Sequence, residues 1–139
     1  MASSSSDGVT ARPTSAVTNI QSWDEFTEHF VISDSKLVVL VFMAPWSEPW
    51  KLMRPVVETM ARQLRSSASG EVCALSVDRF NTLGRLLRVE ALPTFVLVKK
   101  RRAVGRVVGV NREELQASVN KHLAPASSAQ SIVDIAAAT

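Results

Sequence analysis

Ser47, Cys73, His29 and His122 are the residues of this chain whose types could carry nucleophilic or acid–base chemistry. A serine becomes a nucleophile only with a base within hydrogen-bond reach, and the two histidines are the obvious candidates. Both fall in segments with helical patterning, away from the loop that holds Ser47, so helix-face roles are expected and a serine hydrolase is rejected. Cys73 stands in the alternating run Val72-Cys73-Ala74-Leu75, which suits a small buried apolar residue better than a reactive thiol. An intermolecular disulfide stays open if it is exposed. As the one cysteine of the chain, it excludes an internal disulfide and any two-thiol cycle within these residues. No metal-ligand cluster and no Gly-rich phosphate loop are evident, so no metal, nucleotide or dinucleotide cofactor is expected.

The elements that must position these groups alternate regularly. Ser22 with Glu25 three residues on forms a capping box, and Trp23, Phe26 and Phe30 share the helical face that follows. Residues 36–43 are almost continuously apolar, the pattern of a central strand covered on both faces. From 49 to about 65, Leu52, Val56, Met60 and Leu64 recur every four residues with Met53 and Val57 beside them. That spacing predicts a long amphipathic helix, kinked at Pro55. A second strand over 71–77, a short helix over 83–87 and a third strand over 94–98 complete a βαβ pattern. The basic cluster Lys99-Lys100-Arg101-Arg102 reads as an exposed turn before a last strand over 104–108. Gly105 and Gly109 are bulge or turn positions there. Asn111 and Glu114 form another capping box, with Val110 and Leu115 as its hydrophobic staple and Val119 and Leu123 continuing the buried face.

Length and charge bound what this arrangement can do. A chain of 139 residues, 46% hydrophobic, supports a single core. The net charge of +3 gives only weak attraction to nucleic acid or anionic membrane. No aromatic platform accompanies the basic cluster, so a solvated turn is favoured over a nuclear signal or phosphate patch. The longest apolar run, 37–46, is about half of the ~20 residues that cross a bilayer, so no membrane span is expected. Residues 1–16 are Ser-rich and lack the apolar stretch of a secretory signal; they are expected to form a disordered arm. A transit peptide would carry more basic residues, which favours the cytosol over an organelle. Residues 125–139 are an Ala- and Ser-rich tail, leaving 17–124 as the domain.

The segment 38–51, Val-Val-Leu-Val-Phe-Met-Ala-Pro-Trp-Ser-Glu-Pro-Trp-Lys, resembles the active-site region of the thioredoxin family. Phe42, Ala44, Trp46, Pro49 and Lys51 fit that segment. Pro55 fits the family's helix-kinking proline and Asp78 the end of its central strand. Pro93, in Leu92-Pro93-Thr94-Phe95, fits the family's cis-proline, and Gly109 the glycine after the last strand. The resemblance covers about 18–123 and implies an α/β thioredoxin fold, a central mixed sheet flanked by about four helices. The N-terminal arm and the first helix are most similar to the h-type thioredoxins of plants.

The departures concern chemistry. Thioredoxins carry Trp-Cys-Gly-Pro-Cys here, whereas this chain has Ser47 and Trp50 at the two thiol positions. A serine hydroxyl is scarcely ionised near neutral pH, and an indole offers only an N–H donor. Glu48 replaces the intervening glycine and would disfavour a neighbouring thiolate. Val41 stands where the family keeps a buried aspartate that assists proton transfer. The resemblance therefore implies loss of disulfide reductase activity with retention of a polypeptide-binding groove. Its expected members are Trp46, Pro49, Trp50, Leu92, Pro93 and Gly109, with Trp50 either enlarging or filling the patch. The expected function is that of a redox-inactive chaperone or regulatory adaptor whose partners are polypeptides rather than small molecules. The competing reading is a residual oxidoreductase that uses Cys73 or a partner's thiol.

Overall fold

A computed structural model describes residues 15–123. The expected tail of 125–139 lies outside them, as does the expected arm except for Ser15 and Ala16. Those two residues are tied to the fold: the Ser15 hydroxyl and the Ala16 N–H both donate to the Glu58 carboxylate, at 2.7 and 2.6 Å.

The chain runs through β1 (Thr18–Asn19), α1 (Trp23–Phe30), a 3-10 turn (Val31–Asp34), β2 (Leu37–Met43) and α2 (Glu48–Ser66). It continues through β3 (Gly70–Ser76), α3 (Asn81–Leu86), β4 (Thr94–Lys99), β5 (Arg102–Val108) and α4 (Arg112–Leu123). The five strands are ordered β1-β3-β2-β4-β5. β3 runs parallel to β1 and β2, while β4 is antiparallel to both β2 and β5. This is the mixed α/β sheet expected.

β2 is continuously apolar because it feeds two cores. Leu37, Val39 and Val41 point into one, with Met53, Val57 and Leu64 of α2 and Leu115 and Val119 of α4. Val38, Leu40 and Phe42 point into the other, with Phe80, Phe26 and Phe30. Successive strand side chains alternate faces, so burial of both demands an unbroken apolar run.

The expected N-caps form, although neither capping box closes on the cap residue's own N–H. Ser22 Oγ accepts the Glu25 N–H at 3.2 Å and Glu25 Oε1 accepts the Gln21 N–H, one residue before the cap. Asn111 Oδ1 accepts the Glu114 N–H at 3.2 Å. Val110 nevertheless remains exposed, so it is a poor staple.

The buried stripe of α2 differs from the expected one. It consists of Trp50, Met53, Val57, Met60, Ala61 and Leu64; Leu52 is exposed and Val56 only half-buried. Steps of three and four follow the 3.6-residue turn, whereas steps of four alone drift off the core. The helix is continuous across Pro55, whose missing N–H leaves the Lys51 carbonyl without its helical donor.

The basic cluster is the β4–β5 turn, as expected. Lys100 and Arg101 both have positive φ, 51° and 62°, the conformation of a two-residue hairpin that matches strand twist. The bulge falls between the pairs Leu97–Gly105 and Val98–Ala103, leaving Val104 as the extra residue.

Candidate functional site

The loop after β2 is built around the start of α2. Ser47 is the N-cap: its Oγ accepts the Trp50 N–H at 3.3 Å, and its carbonyl accepts the Lys51 N–H at 3.1 Å. Both Ser47 and Trp50 are 5% exposed. A hydroxyl engaged in capping and an indole packed among core residues offer nothing to an incoming disulfide. Glu48 lies exposed in the first helical turn and pairs with Lys51 at 3.1 Å, a weak surface contact. Val41 is fully buried and pairs with Phe95 of β4, so the position holds packing where the family keeps a carboxylate.

Trp46 projects instead into solvent, 64% exposed. Its Nε1–H donates to Asp78 Oδ2 at 3.1 Å, which ties one edge of the indole to the segment after β3. Asp78 sits two residues beyond β3, the strand beside the central one rather than the central strand itself. Pro49, three residues after Trp46, is also exposed.

Across the sheet, the Leu92–Pro93 peptide is cis, as the resemblance implies. Pro93 is buried and Leu92 half-buried. The Pro93 carbonyl accepts the Gly109 N–H at 2.8 Å, so two of the expected binding positions are bonded directly. Gly109 has φ +81°, a conformation that a side chain would strain. Of the six expected contact residues, Trp50 fills the interior and does not enlarge the surface. A cavity of about 560 Å³ opens nearby between Ile20, Met43, Pro45, Asp78 and Arg79, and none of the six lines it.

The histidines lie away from this loop, each in the last turn of a helix as expected, but one of them has a partner on the sheet. His29, in the last turn of α1, reaches the sheet: its Nδ1 is 2.6 Å from Glu71 Oε2. Cys73 Sγ donates to the same oxygen at 3.3 Å. Three ligand-type atoms thus lie within 4.8 Å of one another, although no metal-ligand grouping is evident along the chain. A sequence separation of 42 positions between His29 and Glu71 hides it. The one sequence signal is Glu71 with Cys73, an i, i+2 pair that must share a strand face.

Cys73 is fully buried, as expected for a small core residue. Burial pushes its thiol far up, and the Glu71 charge and hydrogen bond push it further. At neutral pH it is a thiol, not a nucleophilic thiolate. His122, on α4, is held below its usual range by partial burial and by Lys121 and Lys99. Among the described residues, no helix is long and apolar enough to cross a membrane.

Comparison with known proteins agrees with this geometry. The family model described as thioredoxin matches residues 16–121. Thioredoxin H-type 1 of Nicotiana tabacum is 36% identical over 108 residues, covering 78% of this chain and 82% of that protein. Thioredoxin H2-1 of Oryza sativa subsp. japonica is 39% identical over 105 residues, covering 76% and 73%. The crystal structure of thioredoxin NaTrxh from Nicotiana alata superposes with a TM-score of 0.70 at 32% identity, covering 79% of this chain and 95% of that one. With its mixed five-stranded sheet, its cis-proline opposite the Trp46 loop and these relatives, the chain belongs to the thioredoxin family, resembling its plant h-type members but lacking both active-site cysteines.

Proposed function

We propose that this protein is a redox-inactive thioredoxin that binds extended or partly unfolded polypeptides, as a holdase or regulatory adaptor. The observation that supports the reading most directly is the contrast within one loop. Ser47 and Trp50 have been absorbed into the helix cap and the core, while Trp46 stays largely in solvent with its Nε1–H bonded to Asp78. A rigid exposed aromatic beside Pro49 suits apolar contact with a polypeptide. Half-buried Leu92 beside the buried Pro93 is the backbone position that an extended segment would pair with in this reading. Thioredoxins act on protein partners, so the polypeptide class requires no change of ligand type.

The competing oxidoreductase reading needs a thiolate, and the buried, protonated Cys73 argues against it. Cytosolic placement follows only from the likeness to h-type relatives and belongs to the same proposal.

The test is suppression of aggregation of a heat-denatured client by the full chain without reductant. Suppression that weakens in Trp46→Ala is expected. No suppression at excess protein removes the holdase form, and capture of partners that is indifferent to Trp46→Ala removes the adaptor form. Insulin reduction with thioredoxin reductase is expected to be absent; turnover lost in Cys73→Ser would reverse the non-enzyme reading.

A further inference from the structure

We propose that His29, Glu71 and Cys73 form a zinc-binding site on the face of the sheet opposite α2, remote from the Trp46 loop. Glu71 and Cys73 are two residues apart on β3, so both side chains leave the same face. β1 pairs with β3 only at Cys73 and Ala74, which leaves Glu71 at an open edge of the sheet. α1 covers this edge with its last turn and delivers His29. The His29 and Glu71 side chains are 27% and 14% exposed, so the group lies at the boundary between core and solvent with Cys73 on the inner side. The partly exposed His29 and Glu71 side chains are the side from which an ion would enter.

The donor set is the argument for zinc. Imidazole nitrogen, carboxylate oxygen and thiolate sulfur are each ordinary zinc ligands, and three protein ligands plus water is a familiar four-coordinate arrangement. Tetrahedral geometry with ordinary zinc bond lengths places ligand atoms ~3.4–3.7 Å apart. The sulfur–oxygen separation of 3.3 Å already approaches this. The nitrogen–oxygen separation of 2.6 Å must open by roughly 0.8–1 Å to reach that geometry. Rotation of the Glu71 carboxylate or the half-exposed His29 ring supplies that movement.

The binding step balances simply. Zn²⁺ replaces the proton that Cys73 Sγ donates to Glu71, and that proton leaves to solvent. Any proton that His29 Nδ1 carries is displaced as well, to solvent or to an unprotonated Nε2, so the ring binds through Nδ1 as neutral imidazole. Glu71 remains a carboxylate throughout. Hard oxygen-seeking ions such as Mg²⁺ gain little from a sulfur and a nitrogen, so the site should reject them.

Cobalt(II) reports the site directly, because thiolate-to-cobalt charge transfer absorbs in the near ultraviolet and Cys73 is the chain's one sulfur able to form a thiolate. The full chain, stripped with chelator, is titrated with Co²⁺ and then with Zn²⁺. One cobalt per chain, a charge-transfer band, and its loss on adding one equivalent of Zn²⁺ are expected. The band should vanish in Cys73→Ser, and apparent affinity should fall tenfold or more in His29→Ala and in Glu71→Gln, each checked for native circular dichroism. Absence of the band in the wild type, or binding unchanged in folded His29→Ala and Glu71→Gln, overturns the proposal. In that case the three side chains form only a hydrogen-bonded cluster between α1 and the sheet.

Discussion

The hydroxyl of Ser47 accepts the backbone N–H of Trp50 at 3.3 Å, so the two residues at the family's thiol positions are bonded to each other as a helix cap. The interaction satisfies one of the donors that every helix start leaves without a partner. Ser47→Ala should therefore lower stability by about 1 kcal/mol, the usual worth of such a cap. Urea unfolding should show a lower midpoint with an unchanged m-value. An unchanged midpoint would mean that the cap contributes nothing and that Ser47 is kept for another reason.

Trp46 and Trp50 are four residues apart and should respond to truncation by very different amounts. Trp50 packs with Met53 and Val57 in the α2 core, so Trp50→Ala should cost roughly 3–5 kcal/mol through lost burial and a large cavity. Trp46→Ala should cost about 1 kcal/mol or less, since it removes an exposed side chain and one exposed hydrogen bond. The same contrast predicts the fate of a double variant, Ser47→Cys with Trp50→Cys. It should lose stability, and its insulin reduction should stay below that of a two-cysteine h-type relative, because Val41 supplies no proton-transfer carboxylate. Activity equal to the relative's would show that burial and the missing carboxylate do not matter.

What the sequence disclosed depended on how local the cause was. The N-caps at Ser22 and Asn111 act across three residues, and both form as their spacing implies. The run that becomes β2 was legible because double-sided burial leaves no polar position to interrupt it. The α2 stripe was legible in part: Met53, Val57, Met60 and Leu64 are buried as their spacing implies, whereas Leu52 and Val56 follow a four-residue step that turns off the core face, and Trp50 is its first member in place of a surface contact. β1 escaped notice since two residues carry no periodicity, and its strand identity comes from pairing Thr18 with Cys73. The His29, Glu71 and Cys73 group was invisible for the same reason: only tertiary packing brings α1 onto β3.

Ser33 is the polar residue that fastens the basic turn to the body. It is fully buried, its Oγ donates to the Phe30 carbonyl at 2.7 Å and accepts the Arg101 N–H at 2.9 Å, and its own carbonyl accepts the Lys100 N–H at 2.5 Å. Ser33→Ala removes the two side-chain bonds and strands the Arg101 donor, which should cost about 1–3 kcal/mol. The outer Arg101–Asp34 pair is exposed on both sides, so Asp34→Ala should change stability by less than about 1 kcal/mol. If thermal unfolding ranks the two variants the other way, the turn is held by charge and not by the buried hydroxyl.

Glu58 couples the start of the described chain to α2, and this coupling should be visible as acid sensitivity. Partial burial pushes its carboxyl up, but the Ala16 N–H, the Ser15 hydroxyl and the Arg62 and Arg54 charges outweigh that and hold it below the usual range. A carboxyl lowered in the folded state binds its proton more readily when unfolded, so folding stability gains from it above the unfolded value of about 4.3. That gain disappears as the pH falls through the lower folded value. Glu58→Gln keeps an acceptor for Ser15 and Ala16 but cannot ionise. The stability difference between wild type and Glu58→Gln should therefore be constant near neutral pH, shrink below about pH 5 and close at strongly acidic pH. Urea midpoints measured for both proteins across that range provide the check, and a difference that persists undiminished at low pH would place the contribution of Glu58 in its shape and not in its charge.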